Sequence, residues 1–254
     1  MRFLVCVKQV PDTTLIDVDE DGNLLRAGVP SILDPYSEHA LETAMNLRQD
    51  GDRVIVVTMG PPQAVSALRR CLEIGADEAF LLTDRAFAGA DVHATSRTLT
   101  AFIERFGDCP DLILMGKQAA DGDTAQVPSE VAEMLGRDQF CYAVSVSRED
   151  DGFKVTQDYG DELRTCRAKV GSVISVSEGD LNRRLPSIRR FLEASDIPIT
   201  ELDRVGLGLG AFSVGMKGSR TRIAHSENVR RERRCEVFDG SDPSVAASRI
   251  KEVL

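Results

Sequence analysis

Four short apolar runs, at 3–7, 54–58, 79–83 and 112–115, constrain this chain more than anything else in it. They are rich in Val, Ile and Leu, and they do not alternate between apolar and polar positions. A strand that is apolar along its whole length has to be covered on both faces, as in a parallel sheet flanked by helices. The segments between the runs read as helices. One opens at Asp34-Pro35, where Asp is suited to cap and Pro to occupy the first helical position; its apolar residues Ala40, Leu41, Ala44, Met45 and Leu47 keep helical spacing. Others span about 63–74, stopping at Gly75, about 92–106, and about 124–135, stopping at Gly136. Strands alternating with helices predict a doubly wound, mostly parallel α/β sheet. Ligands of such sheets sit beyond the carboxyl ends of the strands, where strand order reverses. The loops after Val7, Thr58 and Met115 are therefore the places to look for function.

Two hairpins interrupt this rhythm, one at 15–26 and one at 153–170 turning on Asp158-Tyr159-Gly160-Asp161. Another buried strand follows at 172–177. Beyond it the pattern fades: 195–242 is rich in Gly, Ser, Arg and Asp, and a short helix at 243–253 closes the chain. We divide the chain into an α/β domain over 1–194 and an irregular arm with its helix over 195–254. A long irregular stretch without a core of its own often wraps a partner.

Composition excludes several functions. The net charge of −10 argues against a general affinity for nucleic acid or anionic membrane. No apolar run approaches the roughly 20 residues of a membrane span, and the start, MRFLVCVKQV, does not resemble a secretory signal. These features point to the cytoplasm, or to an organelle matrix. The cysteines at 6, 71, 109, 141, 166 and 235 form no CxxC, and the histidines at 39, 93 and 225 are dispersed, so no metal site is expected. There is no nucleophile elbow and no P-loop, and no catalytic residue is assigned.

The segment Gly116-Lys117-Gln118-Ala119-Ala120-Asp121-Gly122-Asp123-Thr124-Ala125-Gln126-Val127 runs from an apolar strand into a helix. Its glycines permit close backbone approach. Thr124, placed at the expected helix start, puts free N–H groups where a phosphate could bind, and Lys117 and Gln126 add donors. Asp121 and Asp123 either cap the helix or accept from a ribose hydroxyl or adenine amine. A plain polar loop capped by Asp123 or Thr124 is the alternative. Gly206-Leu207-Gly208-Leu209-Gly210-Ala211 matches the dinucleotide fingerprint in letters only, because neither a buried strand before it nor a helix after it is expected.

Several motifs, in order, resemble the β (small) subunits of electron-transfer flavoproteins. They are Val5-Cys6-Val7-Lys8-Gln9-Val10-Pro11-Asp12, Asp34-Pro35-Tyr36 followed by Ala40-Leu41-Glu42, Thr58-Met59-Gly60-Pro61-Pro62, Gly75-Ala76-Asp77-Glu78-Ala79, the 116–127 loop, and Val237-Phe238-Asp239 with Asp242-Pro243. Many relatives carry Asn at the position of Asp34. The resemblance spans essentially the whole chain. It implies a heterodimer with an α subunit that holds FAD, and a β subunit that binds FAD or AMP. The implied cofactor contacts are Cys6, Asp34, Pro35, Tyr36, Ser37, Met59 and each residue from Gly116 to Val127, with Cys6 and Met59 contributing mainly backbone. The 121–126 loop, Lys8 to Thr13, and the segment Asp84 to Asp91 with Thr95 and Ser96 are most similar to the FAD-binding, electron-bifurcating type, which adds Asp91 and Thr95 to the contacts. Val92 stands where that type usually has Thr. The type implies oxidation of NADH, with electrons passing to an acyl-CoA dehydrogenase and to a low-potential acceptor such as ferredoxin. The segment 182–190 resembles the partner-recognition loop, with Leu185 as its anchor. The alternatives are a non-bifurcating β subunit with structural AMP and, further off, an adenine-nucleotide-binding α/β enzyme, which would need a Lys/Arg cluster and a magnesium site.

Overall fold

The computed structural model describes residues 1–12, 30–106, 109–179, 183–222 and 243–253. The expected hairpin at 15–26 and the tail motif at 237–242 lie outside these residues. The first strand, β1 (Arg2–Cys6), is followed by a small antiparallel pair, β2 (Gln9–Pro11) and β3 (Ser31–Leu33), in which Val10 faces Ile32. This pair delivers the chain to α1 (Pro35–Leu47). Then come β4 (Arg53–Met59), α2 (Val65–Ile74), β5 (Glu78–Leu82), α3 (Val92–Phe106), β6 (Leu112–Gly116) and α4 (Val127–Leu135). The three strands β7 (Gln139–Glu149), β8 (Gly152–Asp158) and β9 (Leu163–Lys169) precede β10 (Val173–Val176), α5 (Ile188–Asp196), β11 (Ile199–Leu202), the one-turn α6 (Gly215–Gly218) and α7 (Pro243–Val253).

The main sheet has the order β11-β5-β4-β1-β6-β10-β7-β8-β9. From β11 to β7 every pairing is parallel, and β7-β8-β9 is an antiparallel extension. β1 lies at the centre of the parallel part, with Val5 opposite both Val56 and Leu114. Alternate residues of the apolar strands enter two separate cores. Phe3, Val5, Val54 and Val56 join Leu41, Ala44, Leu68 and Leu72 of α1 and α2. Leu4, Ile55, Val57 and Ile113 join Leu99, Phe102, Ile103 and Val131 of α3 and α4. Both faces are covered, which is why these strands are apolar at every position.

Two expectations are corrected, and one strand is added. The helix expected from 124 begins at Val127, with Pro128 in its first turn and left-handed backbone at Asp123 (φ 51°) and Ala125 (φ 55°) just before it. β7 has no continuous apolar run to mark it in the sequence, because one side of it is exposed and carries Ser145 and Ser147. Regular structure also continues past residue 194: β11 pairs with β5, Thr200 facing Phe80. A four-residue edge strand reading Ile-Thr-Glu-Leu is too short and too polar to stand out in a sequence. After β11 the chain folds back over the loop that follows β5, where Met216 N–H donates to the Ala88 carbonyl at 3.0 Å.

Candidate functional site

The chain moves from β1 outward to β4 and β5, then returns to β6 on the other side of β1. The carboxyl ends of β1 and β6 are thus the switch point, where a doubly wound sheet opens a crevice. The first turn of α1 forms one wall. Asp34 caps it from a fully buried position, accepting from Ser37 N–H at 2.9 Å and Ser37 Oγ at 3.0 Å. Its second oxygen accepts from Ala120 N–H at 2.9 Å, so the same carboxylate pins the loop after β6. Ser37 Oγ accepts in turn from Lys8 N–H at 3.1 Å. Gly116 ends β6 against this turn: a Cβ there would lie 2.8 Å from the Tyr36 carbonyl carbon and 2.9 Å from Ser37 N.

The 116–126 loop spans the mouth of the crevice. Gly122 and Asp123 N–H turn inward to the Ala119 carbonyl, and Gln118 donates to Asp123. Lys8 pairs with Asp121 at 2.6 Å, which offsets one of the two acids beside the proposed phosphate position. Among the described residues, the amides of Thr124, Ala125 and Gln126 donate to no protein group. Ala125 is left-handed and Gln126 right-handed, and successive N–H groups in turn conformations of this kind are a common form of anion site. α4 starts immediately beyond, with Gln126 as N-cap and no side chain closing its first turn. Neither Asp123 nor Thr124 caps the helix; Thr124 lies exposed three residues ahead of it. The free N–H groups expected at a helix start on Thr124 lie instead in the loop at 124–126, ahead of the helix.

Lys117 Nζ stands 5.8 Å from the ring centres of both Tyr36 and Tyr142, and Tyr142 meets Tyr159 edge-on at 5.9 Å. All three tyrosines of the chain therefore gather beside the crevice, a cluster that sequence spacing does not reveal. Burial raises the Tyr36 hydroxyl pKa, and the nearby charges of Glu178, Asp123 and Asp34 raise it further. Cys6, at the end of β1, is buried, and burial pushes its thiol up to about 12, so it is not a thiolate. Met59 ends β4 and packs on the same core as Cys6.

Asp91 and Thr95 sit at the start of α3, which approaches the start of α4 where His93 Nδ1 lies 3.6 Å from Glu130 Oε2. The Asp91 carboxylate is occupied within the fold. It accepts from Ala94 N–H (2.9 Å), Arg220 N–H (2.8 Å), Thr221 N–H (2.8 Å) and Thr221 Oγ1 (2.9 Å). Burial pushes its pKa up, but these donors outweigh burial and hold it down at about 2, from 3.8. The stabilisation is thus present above the ordinary Asp range and lost as pH falls from near 3.8 toward 2. Asp91→Asn should lower the thermal midpoint at pH 7, and the gap from wild type should close across that window. A gap that persists unchanged at the acid end would count against this account.

Leu185 is not at the crevice. It is 84% exposed, just before α5. The Gly206 to Ala211 stretch is a loop, as expected: β11 precedes it, but the next helix begins only at Gly215 and is one turn long. No group of His, Cys, Asp and Glu suited to a metal occurs among the described residues, and no described helix is long and apolar enough to cross a membrane.

Fold and crevice together define a doubly wound α/β protein whose switch point opens beside a run of free backbone amides. The family model for the electron transfer flavoprotein domain matches residues 21–179. The chain is 39% identical over 258 residues to the electron transfer flavoprotein subunit beta of Clostridium acetobutylicum, covering 99% of this chain and 98% of that one. It is 41% identical over 229 residues to subunit CarD of the caffeyl-CoA reductase-Etf complex of Acetobacterium woodii, covering 89% and 87%. It is 38% identical over 251 residues to protein FixA of Azotobacter vinelandii, covering 95% and 89%. The chain belongs to the electron transfer flavoprotein family, among its β subunits.

Proposed function

We propose that this β subunit binds FAD in the crevice between β1 and β6, pairs with an α subunit, and helps divide electrons from NADH between an acyl-CoA dehydrogenase and a low-potential acceptor such as ferredoxin. The observation that carries the reading is the free run of amides at Thr124, Ala125 and Gln126 beside the uncapped start of α4. That arrangement suits a pyrophosphate. The name of the Acetobacterium relative, a subunit of a caffeyl-CoA reductase-Etf complex, supports a partner enzyme that acts on an acyl-CoA. Bound FAD would supply the hydride and one-electron chemistry, which belongs to the cofactor. The protein's own part is to hold it. Asp34 fixes both the α1 wall and Ala120, Gly116 sets the width of the crevice, Lys8 balances Asp121, and Lys117 adds positive charge near Tyr36. The α subunit is the proposed cover for the segment beyond residue 194, where Val205, Phe212 and Met216 are exposed, as are Val245 and Ile250 of α7. Leu185 is the proposed dehydrogenase anchor.

One observation favours structural AMP instead. Asp91, a contact implied only by the FAD-binding type, spends both oxygens on the protein. A flavin count on the purified αβ complex, after supplying excess FAD, decides between the two. Two flavins per heterodimer are expected; one flavin with one AMP would return the β nucleotide to a structural role.

A further inference from the structure

Glu42 lies in the middle of α1 with only 1% of its surface exposed. A buried carboxylate is costly unless it is closely paired. Both of its oxygens go to a single residue: Oε1 accepts from Arg184 N–H at 2.9 Å, and Oε2 from Arg184 Nε at 2.7 Å. Arg184 Nη2 reaches Asn46 Oδ1, one helical turn further along α1, at 2.5 Å. One turn the other way, Glu38 pairs with Arg183 at 3.2 Å. Backbone and guanidinium of Arg184 are thus both fixed, immediately before Leu185. A second peg holds the following helix: Arg190 Nε donates to the Leu72 carbonyl at 2.9 Å, and its Nη2 to that of Ala76.

Beside these pegs the chain presents an apolar surface to solvent. Leu185, ahead of α5, and Ile188 and Leu192, on α5, are 84%, 83% and 62% exposed. A segment free to move would tend to fold such a surface inward. A buried ion pair contributes little to stability compared with apolar residues of similar volume, and its best-attested use is to fix register. We propose that Glu42 is a positioning residue: through Arg184 it holds the segment from Leu185 to Leu192 with its apolar surface outward, for the apolar pocket of a dehydrogenase partner. The inference rests on the reading of Leu185 as an anchor. It adds that α1 serves two sites, its first turn walling the nucleotide crevice and its middle aiming the docking segment.

The test uses the purified αβ complex, with a butyryl-CoA-oxidising acyl-CoA dehydrogenase as the probe partner. Glu42→Gln, Leu185→Ala and their combination are compared by KM for the dehydrogenase, kcat, flavin content and amide exchange over 183–192. Glu42→Gln should raise KM and local exchange about tenfold, the equivalent of about 1.4 kcal/mol. Flavin content and kcat should stay as in wild type, and the double variant should be no worse than Leu185→Ala alone. The pair Glu42→Leu with Arg184→Met removes the buried charge altogether. It should fold with an unchanged or higher thermal midpoint and still show the raised KM, which a purely structural role would not produce. Unchanged exchange in Glu42→Gln, or additive effects in the double variant, would overturn the positioning role. A normal KM for Leu185→Ala overturns the anchor reading and the docking role with it; the exchange data distinguish that result from failure of the clamp.

Discussion

Gly116→Ala should abolish useful nucleotide binding, because its added methyl has no space to enter. The new Cβ would lie 2.8 Å from both the carbonyl carbon and the Cβ of Tyr36, and 2.9 Å from Ser37 N. These are mostly backbone atoms in the first turn of a helix, so no flexible side chain can swing aside. Either the end of β6 or the start of α1 must move. Overpacking of this kind costs about 1–3 kcal/mol in folding. The larger effect should fall on binding, since the displaced pieces are the two walls of the crevice. A loss of about 3 kcal/mol corresponds to a Kd roughly a hundredfold weaker. Gly122→Ala is the packing comparison: it lies in the same loop, has no left-handed backbone, and a Cβ there meets no protein atom within 4 Å, so any loss of affinity in it reports contact with the nucleotide rather than displaced walls. Calorimetric titration of each variant complex with FAD and with AMP gives the answer. Near-normal affinity in Gly116→Ala would mean that the tight contact serves packing alone.

The parts of this protein that were legible in the sequence are those governed by local rules. Strands buried on both faces announce themselves as apolar runs, and β1, β4, β5 and β6 were found within a residue or two. The α1 start was legible because Asp can cap, Pro suits the first helical turn and apolar residues at helical spacing follow, and α3 falls at the expected 92–106. β7 and β11 escaped because a half-exposed strand and a four-residue edge strand carry little apolar periodicity. The α4 start was misplaced for a different reason: two non-glycine residues adopt left-handed backbone ahead of it, and composition gives no warning of that. In the site, the sequence identified the elements but not their wiring. Lys8 meets Asp121 across 113 positions, and Arg184 meets Glu42 across 142. Those pairs depend on strand order, which brings β6 beside β1 and lays the 183–190 segment along α1. Asp91 is a further case. The resemblance offers it as a cofactor contact, but nothing in the sequence signals its commitment to Arg220 and Thr221.

Asp34→Ala should combine a large loss of stability with the loss of the cofactor. This carboxylate is fully buried and accepts three hydrogen bonds, two from Ser37 and one from Ala120. Alanine leaves the Ser37 and Ala120 amides without their acceptor. Hydrogen bonds to charged groups contribute about 1.5–3 kcal/mol each, and an N-cap lost to Ala typically costs about 1 kcal/mol. Because the three bonds share one carboxylate, their losses do not simply add; a net destabilisation of about 3 kcal/mol is the expectation. The two functions of Asp34 separate in Asp34→Asn. Its remaining oxygen can still cap α1 through Ser37, but the amide nitrogen then faces Ala120 N–H, donor against donor. Asp34→Asn should therefore keep most of the folding stability while the 116–126 loop loosens and nucleotide affinity falls about tenfold, the equivalent of about 1.4 kcal/mol. Urea unfolding of the complex reads the first effect, and calorimetry with the nucleotide reads the second. If Asp34→Asn binds nucleotide as tightly as wild type, the bond to Ala120 is not what holds the loop over the crevice. The amides at 124–126 would then have to keep their arrangement through the two left-handed residues alone.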